Sequence, residues 1–208
     1  MGCDIHVFLE RKNKNKWEDA NLYQRNYYKA THPDDEEDKD FNRLDCYNGR
    51  NYNLFAALAD VRNHGYIKPI NQPKGIPEDA SKEVKKELTE WELDAHSISY
   101  FTLQELLDSR SNYQEIINSG FITKEYAKLL DEKNIIPAEW SQDVYENGIR
   151  GGEKGSNYVW REWTTKYDLL APLIDGIINT LCLTFYYDGK KRVLENAVNF
   201  RIVFWFDN

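Results

Sequence analysis

Met1-Gly2-Cys3-Asp4-Ile5-His6-Val7-Phe8-Leu9-Glu10 reads as a β-strand with two unlike faces. Successive strand side chains point to opposite sides, so Cys3, Ile5, Val7 and Leu9 share one face and Asp4, His6, Phe8 and Glu10 share the other. The first face is apolar and reads as core. The second opens with a carboxylate and an imidazole together, a pair that can bind a metal, move a proton or sit in water. Asn13-Lys14-Asn15-Lys16 is a polar turn and Trp17 to Tyr23 a returning strand, which places the pair on an antiparallel hairpin.

The far end of the chain supplies a partner for that hairpin. Phe200-Arg201-Ile202-Val203-Phe204-Trp205-Phe206 is apolar on both faces, which implies a central strand beside the first one. Tyr158 to Tyr167 alternates as a strand, with Trp160 and Trp163 on opposite faces, and is expected in the same sheet. Asp188-Gly189 signals a hairpin turn. Helices are expected after an Asn53 cap, through Leu54, Phe55, Leu58 and Val61 until Asn63-His64-Gly65 stops them, and from a Ser81 cap to Trp91. Thr102-Leu103-Gln104-Glu105 matches a capping box, and Ala171-Pro172 to Leu183 carries the most continuous apolar content. The expected fold is α+β, an antiparallel sheet with an N-terminal hairpin and a C-terminal strand, covered by helices. Residues 1–208 read as a single domain, with 103–157 a helical insertion broken at Gly120, Asn134 and Gly148.

Composition narrows the function. Twenty-seven Lys and Arg against thirty-five Asp and Glu give a formal charge of −8, which disfavours extended binding to nucleic acid or to an anionic membrane. A local basic pocket for a small anion remains compatible with that balance. Cys3, Cys46 and Cys182 are far apart and form no Cys-X-X-Cys pair, which argues against a disulfide framework or structural zinc and for a reducing, cytoplasmic setting. Asp4, His6 and Glu10 interrupt any signal-peptide core, and Asp175 and Asn179 break the apolar run Leu169 to Phe185 before it could span a bilayer.

The Trp91 to Tyr100 stretch contains a second Asp-X-His, Asp94 and His96. The sharpest site reading gathers Asp4, His6, Asp94 and His96 around one divalent metal ion that polarises a phosphoryl or carbonyl oxygen and acidifies bound water. His6, His96 and Asp60 are then the catalytic candidates, and Arg50, Asn51 and Arg62 the ligand-binding ones, the guanidinium forks suiting phosphate oxygens. A metal-free form uses His6 or His96 as acid and base, oriented by a carboxylate. The plainer readings make His6 a strand-surface residue bonded to Asp4, and His96 a loop residue. Asp60 and Arg62 become an ion pair near a helix end, and Arg50 a loop anchor. Thr31 to Asp40 reads as a solvated acidic loop. Gly148 to Ser156 reads as a mobile loop in which Arg150 and Lys154 leave room for a lid, and His32 and His64 as ordinary surface residues.

Four segments carry a resemblance: Met-Gly-Cys-Asp-Ile-His at the start, Gly49 to Tyr52 with Leu54-Phe55-Ala56 and Leu58 to Asn63, Trp91 to Ser99, and Arg201 to Asn208. Together they resemble an uncharacterised family of phage and prophage proteins. Both ends of the chain take part, and residues 103–157 carry no motif of it. The resemblance supplies no activity. It implies a phage origin, a place in the host cytoplasm, and an accessory role in nucleotide metabolism or counter-defence. The expected function is hydrolysis of a small phosphate-bearing, nucleotide-like ligand such as a host defence signal, by metal-assisted or His/Asp acid–base chemistry. A non-catalytic sponge for such a ligand is the alternative, and an acidic inhibitor that binds a host protein is the third reading.

Overall fold

The computed structural model describes residues 2–34, 39–64, 67–91, 93–141, 157–183, 185–188, 191–194 and 196–207, the backbone alone for 185–188 and 191–194. Along these the chain runs β1 (Asp4–Asn13), β2 (Lys16–Asp19), β3 (Leu22–Arg25), α1 (Tyr27–Thr31), β4 (Phe41–Leu44), α2 (Tyr52–Ala59) and α3 (Lys82–Trp91). It continues with β5 (His96–Thr102), α4 (Leu103–Ser109), a 3-10 turn (Arg110–Tyr113), β6 (Glu115–Thr123), α5 (Lys124–Lys133) and β7 (Tyr158–Lys166). The last elements are α6 (Ala171–Thr180), β8 (Phe185–Asp188), β9 (Lys191–Leu194), a second 3-10 turn (Ala197–Asn199) and β10 (Phe200–Asp207).

The main sheet is antiparallel in the order β2-β1-β10-β5, so the α+β expectation holds and the C-terminal strand is central beside the first. Two-sided apolar character puts β10 there, since both of its faces must be covered. Ile202, Phe204 and Phe206 pack with Ile5, Val7 and Leu9 beneath Leu54, Phe55 and Leu58 of α2, Leu103 and Leu106 of α4, and Leu173, Ile174 and Ile177 of α6. On the opposite face Val203 and Trp205 pack with Phe8 under Val84, Leu88 and Trp91 of α3. The polar face of β1 is therefore interrupted at Phe8, which belongs to a second core.

Glu10 lies within that second face and is fully buried. Its register partner Arg201 donates from Nε at 2.5 Å, and the Ser81 backbone N–H donates to its other oxygen at 2.6 Å. Arg201 also donates to Asp79 at 2.8 Å and has the Trp17 ring 4.1 Å away. The cluster ties the hairpin, β10 and the start of α3 together, and Ser81 Oγ accepts from Val84 N–H as the expected cap.

The structure corrects four details. Tyr158–Lys166 is a strand, but it pairs with β6 in a separate two-stranded sheet and not with the main one. That partner falls inside 103–157, so the segment expected to be a helical insertion holds a nine-residue strand. Ile116, Ile117, Phe121 and Ile122 favour extended backbone, and Gly120 sits within the strand instead of ending a helix. The same segment also feeds the principal core through Leu103, Leu106, Tyr113 and Ile116. The returning strand divides: β2 pairs with β1, whereas β3 pairs with β4, because Asn21 turns inward and its side chain accepts the Leu9 N–H. Finally, α2 is capped by Asn51, which accepts from Leu54 N–H, and it ends at Asp60 in the left-handed conformation.

The Thr102–Glu105 capping box forms as expected. Gly65, Gly189, residues 35–38 of the acidic run, and Gly148–Ser156 with Arg150 and Lys154 lie outside the described residues. No helix among the described residues is long and apolar enough to cross a membrane.

Candidate functional site

Asp4 and His6 lie at the end of the sheet where β1 begins and β10 finishes. Register places Asp4 opposite Asp207 and His6 opposite Trp205. Asp207 receives both: its Oδ1 accepts the Asp4 backbone N–H at 3.0 Å and its Oδ2 lies 3.2 Å from His6 Nε2. The His6 ring centroid is 4.0 Å from that of Trp91, which half-buries the imidazole. His6 is thus oriented by a carboxylate, but by Asp207 and not by Asp4.

The Asp4 side chain is taken by Arg50, which donates from Nε at 2.8 Å and from Nη2 at 2.5 Å. That bidentate bond holds the Asp4 carboxyl below the usual carboxylate range, outweighing desolvation. Gly2 accommodates the arrangement, because a Cβ there would stand 2.5 Å from Arg50 Nη1. One residue along, Cys3 faces the other way into the core. Burial pushes its thiol up, against the pull of the Arg62 guanidinium beside it.

The second Asp-X-His does not join the first. Asp94 is exposed in the turn after α3, its N–H bonded to Trp91 O. His96 stands opposite Phe206 on β5, and the two rings stack with centroids 6.0 Å apart. Its Nδ1 lies 3.1 Å from Ser97 Oγ, and its Nε2 is buried without a hydrogen-bond partner among the described residues. Ser97 has φ 52°, and the β5–β10 register shifts between Phe204 and Phe206, which marks a bulge.

Residues opposite one another share a face, so His6 lies with Trp205 on the α3 side and His96 with Phe206 on the other. The expected four-ligand set Asp4, His6, Asp94 and His96 is not assembled. Among the described residues no three His, Cys, Asp or Glu side chains stand together as a metal site. The Arg62 guanidinium lies beside Cys3, and Asp60 caps the far end of α2, bonded by Asn63 Nδ2 at 2.6 Å. The eight residues of α2, about 12 Å of helix, separate it from Asn51.

Two of the expected ligand-binding residues do converge. Arg50 and Asn51 line a cleft of about 400 Å³ with Tyr52, Asn53 and His64 on one side, Ile117, Asn118 and Ser119 of β6 on another, and Trp140. Trp140 is 45% exposed, and its ring meets Trp163 edge-on at 5.5 Å, which fixes its orientation. Asn51 spends its carbonyl oxygen on the helix cap and retains its amide donors. The cleft offers an aromatic face, side-chain amides and a guanidinium within a volume typical of small-molecule sites.

Residue reasoning missed His64, Asn118, Ser119 and Trp140. Trp140 carries no local signal, because the antiparallel bridge between Phe121 and Ser141 brings it to β6. His64 follows the exposed end of α2, and nothing in its neighbours distinguishes it from a surface residue.

Fold and cleft together define an α+β protein with a helix-covered antiparallel sheet and a polar, aromatic cleft beside the α2 cap. Comparison with protein-family models, with curated proteins and with solved structures gave no match.

Proposed function

We propose that the protein binds a small phosphate-bearing, nucleotide-like ligand in the Arg50–Trp140 cleft and sequesters it without cleaving it. The observation that carries this reading is the convergence of Arg50, Asn51 and the exposed Trp140 on one cleft. A base stacks on the indole, the amide donors of Asn51 meet its edge, and phosphate oxygens meet the guanidinium, while Asn118, whose amide donates to Ile116 O and Thr165 Oγ1, offers its carbonyl oxygen as an acceptor. Asp4 offsets much of the Arg50 charge, so stacking contributes more of the affinity than phosphate does. The likeness to phage and prophage proteins gives the role a setting, in which an accessory protein lowers the free concentration of a host nucleotide signal. Calorimetric titration tests the reading. Trp140→Ala should remove about 1–3 kcal/mol of nucleotide affinity, the usual worth of one base–aromatic stack. Ligand released by heat should be chemically unchanged, and recovery of a cleaved product would overturn sequestration.

The His6–Asp207 pair favours a second reading, acid–base hydrolysis with His6 moving the proton and Asp207 orienting the ring. Here His6→Ala abolishes turnover of an identified substrate with the fold intact. In its metal-assisted form a chelator does the same. Turnover that survives both treatments removes this reading.

A further inference from the structure

A second cleft, of about 530 Å³, adjoins the first along β6. It lies between the 67–70 segment, the 3-10 turn and the first residues of β6, and Ile117 lines both clefts. Ile117 is 60% exposed, so its side chain forms a low ridge between two recesses of similar size. Resting on the binding reading above, we propose that the ligand has two parts, two nucleosides joined through phosphate, with one base in each cleft and the linkage crossing Ile117.

Size is the first argument. Each cleft falls within the roughly 300–1,000 Å³ that small-molecule sites occupy, so a mononucleotide fills one and leaves the other empty.

Charge is the second. In the first cleft Arg50 is already held by Asp4. In the second, Lys68 is exposed and makes no ion pair among the described residues. It is therefore the cation with charge to spare for an anion. Glu115 also lines this cleft, which disfavours a terminal triphosphate lying in it and favours a neutral base, with the negative charge confined to the linkage near Lys68.

The third argument is shape. Ile67 and Ile70 present apolar walls suited to a ring, and the segment that carries them is held before any ligand arrives. Tyr113 Oη donates to the Lys68 carbonyl at 2.6 Å, and Ile70 N–H donates to Ala57 O at 2.8 Å. A preformed wall loses little ordering entropy on binding.

The test is calorimetric titration of the full chain with AMP, with ATP and with a 5′–5′ dinucleoside diphosphate, each in adenine and guanine forms. The dinucleoside should bind at least about tenfold tighter than AMP, because its second base enters at high effective concentration. Lys68→Glu should weaken the dinucleoside more than AMP and so remove most of that advantage, and Trp140→Ala should weaken both ligands. Equal affinity for AMP and the dinucleoside, or tightest binding of ATP, overturns the two-part ligand and leaves the nucleotide reading standing. No binding by any of the probes overturns both. Because Lys68 is exposed, a circular dichroism spectrum and melting curve matching the parent chain suffice to show that the variant is folded.

Discussion

Glu10 and Arg201 show what one position of a strand can decide. Both are buried, and each satisfies the other through a register that pairs residues 191 apart in the chain. Removing Glu10 leaves the buried Arg201 guanidinium with the largely exposed Asp79 as its remaining carboxylate partner, so Glu10→Ala should cost about 3 kcal/mol in urea unfolding, the low end for breaking a buried pair. Replacing both with apolar residues of similar volume should cost much less, and a double variant as unstable as the single one would refute the pairing argument. Asp79, on the outer side of Arg201, gives a pH signature. The Arg201 hydrogen bond lowers its carboxyl pKa, against desolvation. A carboxyl depressed in the folded state adds stability that is fully present above its unfolded value, about 3.9, and is lost as pH falls through the folded value. Stability should therefore decline below about pH 4, and Asp79→Asn should flatten that decline. The change should stay under about 1 kcal/mol, because the Asp79 side chain is 63% exposed and well screened. Unfolding midpoints between pH 3 and 6 measure it, and parallel profiles for the two proteins would remove the assignment.

At the scale of elements, α6 shows packing overriding propensity. A Cβ at Gly176 would stand 2.0 Å from the Cys46 carbonyl oxygen, which is backbone and cannot swing aside. The helix and the 44–47 segment thus meet closely, and burial there pushes the Cys46 thiol up to about 12. Alanine is the better helix former by about 1 kcal/mol, yet Gly176→Ala should destabilise, since overpacking costs about 1–3 kcal/mol or more. A raised melting temperature would show that the contact yields freely. The elements legible in the sequence are those whose signals are local. The Thr102–Glu105 box, the Ser81 cap and the two-sided apolar run of β10 each lie within a few residues. What was not legible depends on register. Alternation shows that Asp4 and His6 share a face, but that Asp207 is their partner follows from pairing across the whole chain. The bulge at Ser97, which sets His96 on the face opposite His6, disrupts the parity that sequence reading relies on. Trp140 reaches the cleft through a single bridge to β6, and β6 itself was obscured by Gly120, which reads equally as a helix break.

On the scale of the whole molecule two packed units of unequal size flank the site, the larger with an apolar core on each face of its sheet. The main sheet is sandwiched between α2, α4 and α6 on one face and α3 on the other. By contrast, α5 covers β6 and β7 with a small separate core of Ile122, Ala127, Leu130 and Trp163. Ile116 and Tyr113 join the start of this smaller unit to the principal core. The cleft lies where they meet, with Arg50 and Asn51 supplied beside the larger unit and Asn118, Ser119 and Trp140 beside the smaller. A small core supports less local stability, so the β6–β7–α5 unit should open before the main sheet does. Trp163 is the probe: truncating a buried indole costs about 3–5 kcal/mol, and here the loss should fall on one unit. Hydrogen exchange of Trp163→Ala should show faster exchange in β6, β7 and α5 with protection retained in β1 and β10. Trp163→Phe should cost less than the size change implies, because Trp163 Nε1 is buried without a hydrogen-bond partner among the described residues and its loss removes an unsatisfied donor. Equal loss of protection in β10 and β6 would mean that the two units unfold as one. In that case a ligand bridging them could not stabilise the smaller unit selectively; if they open separately, nucleotide binding should slow exchange in β6 more than in β10.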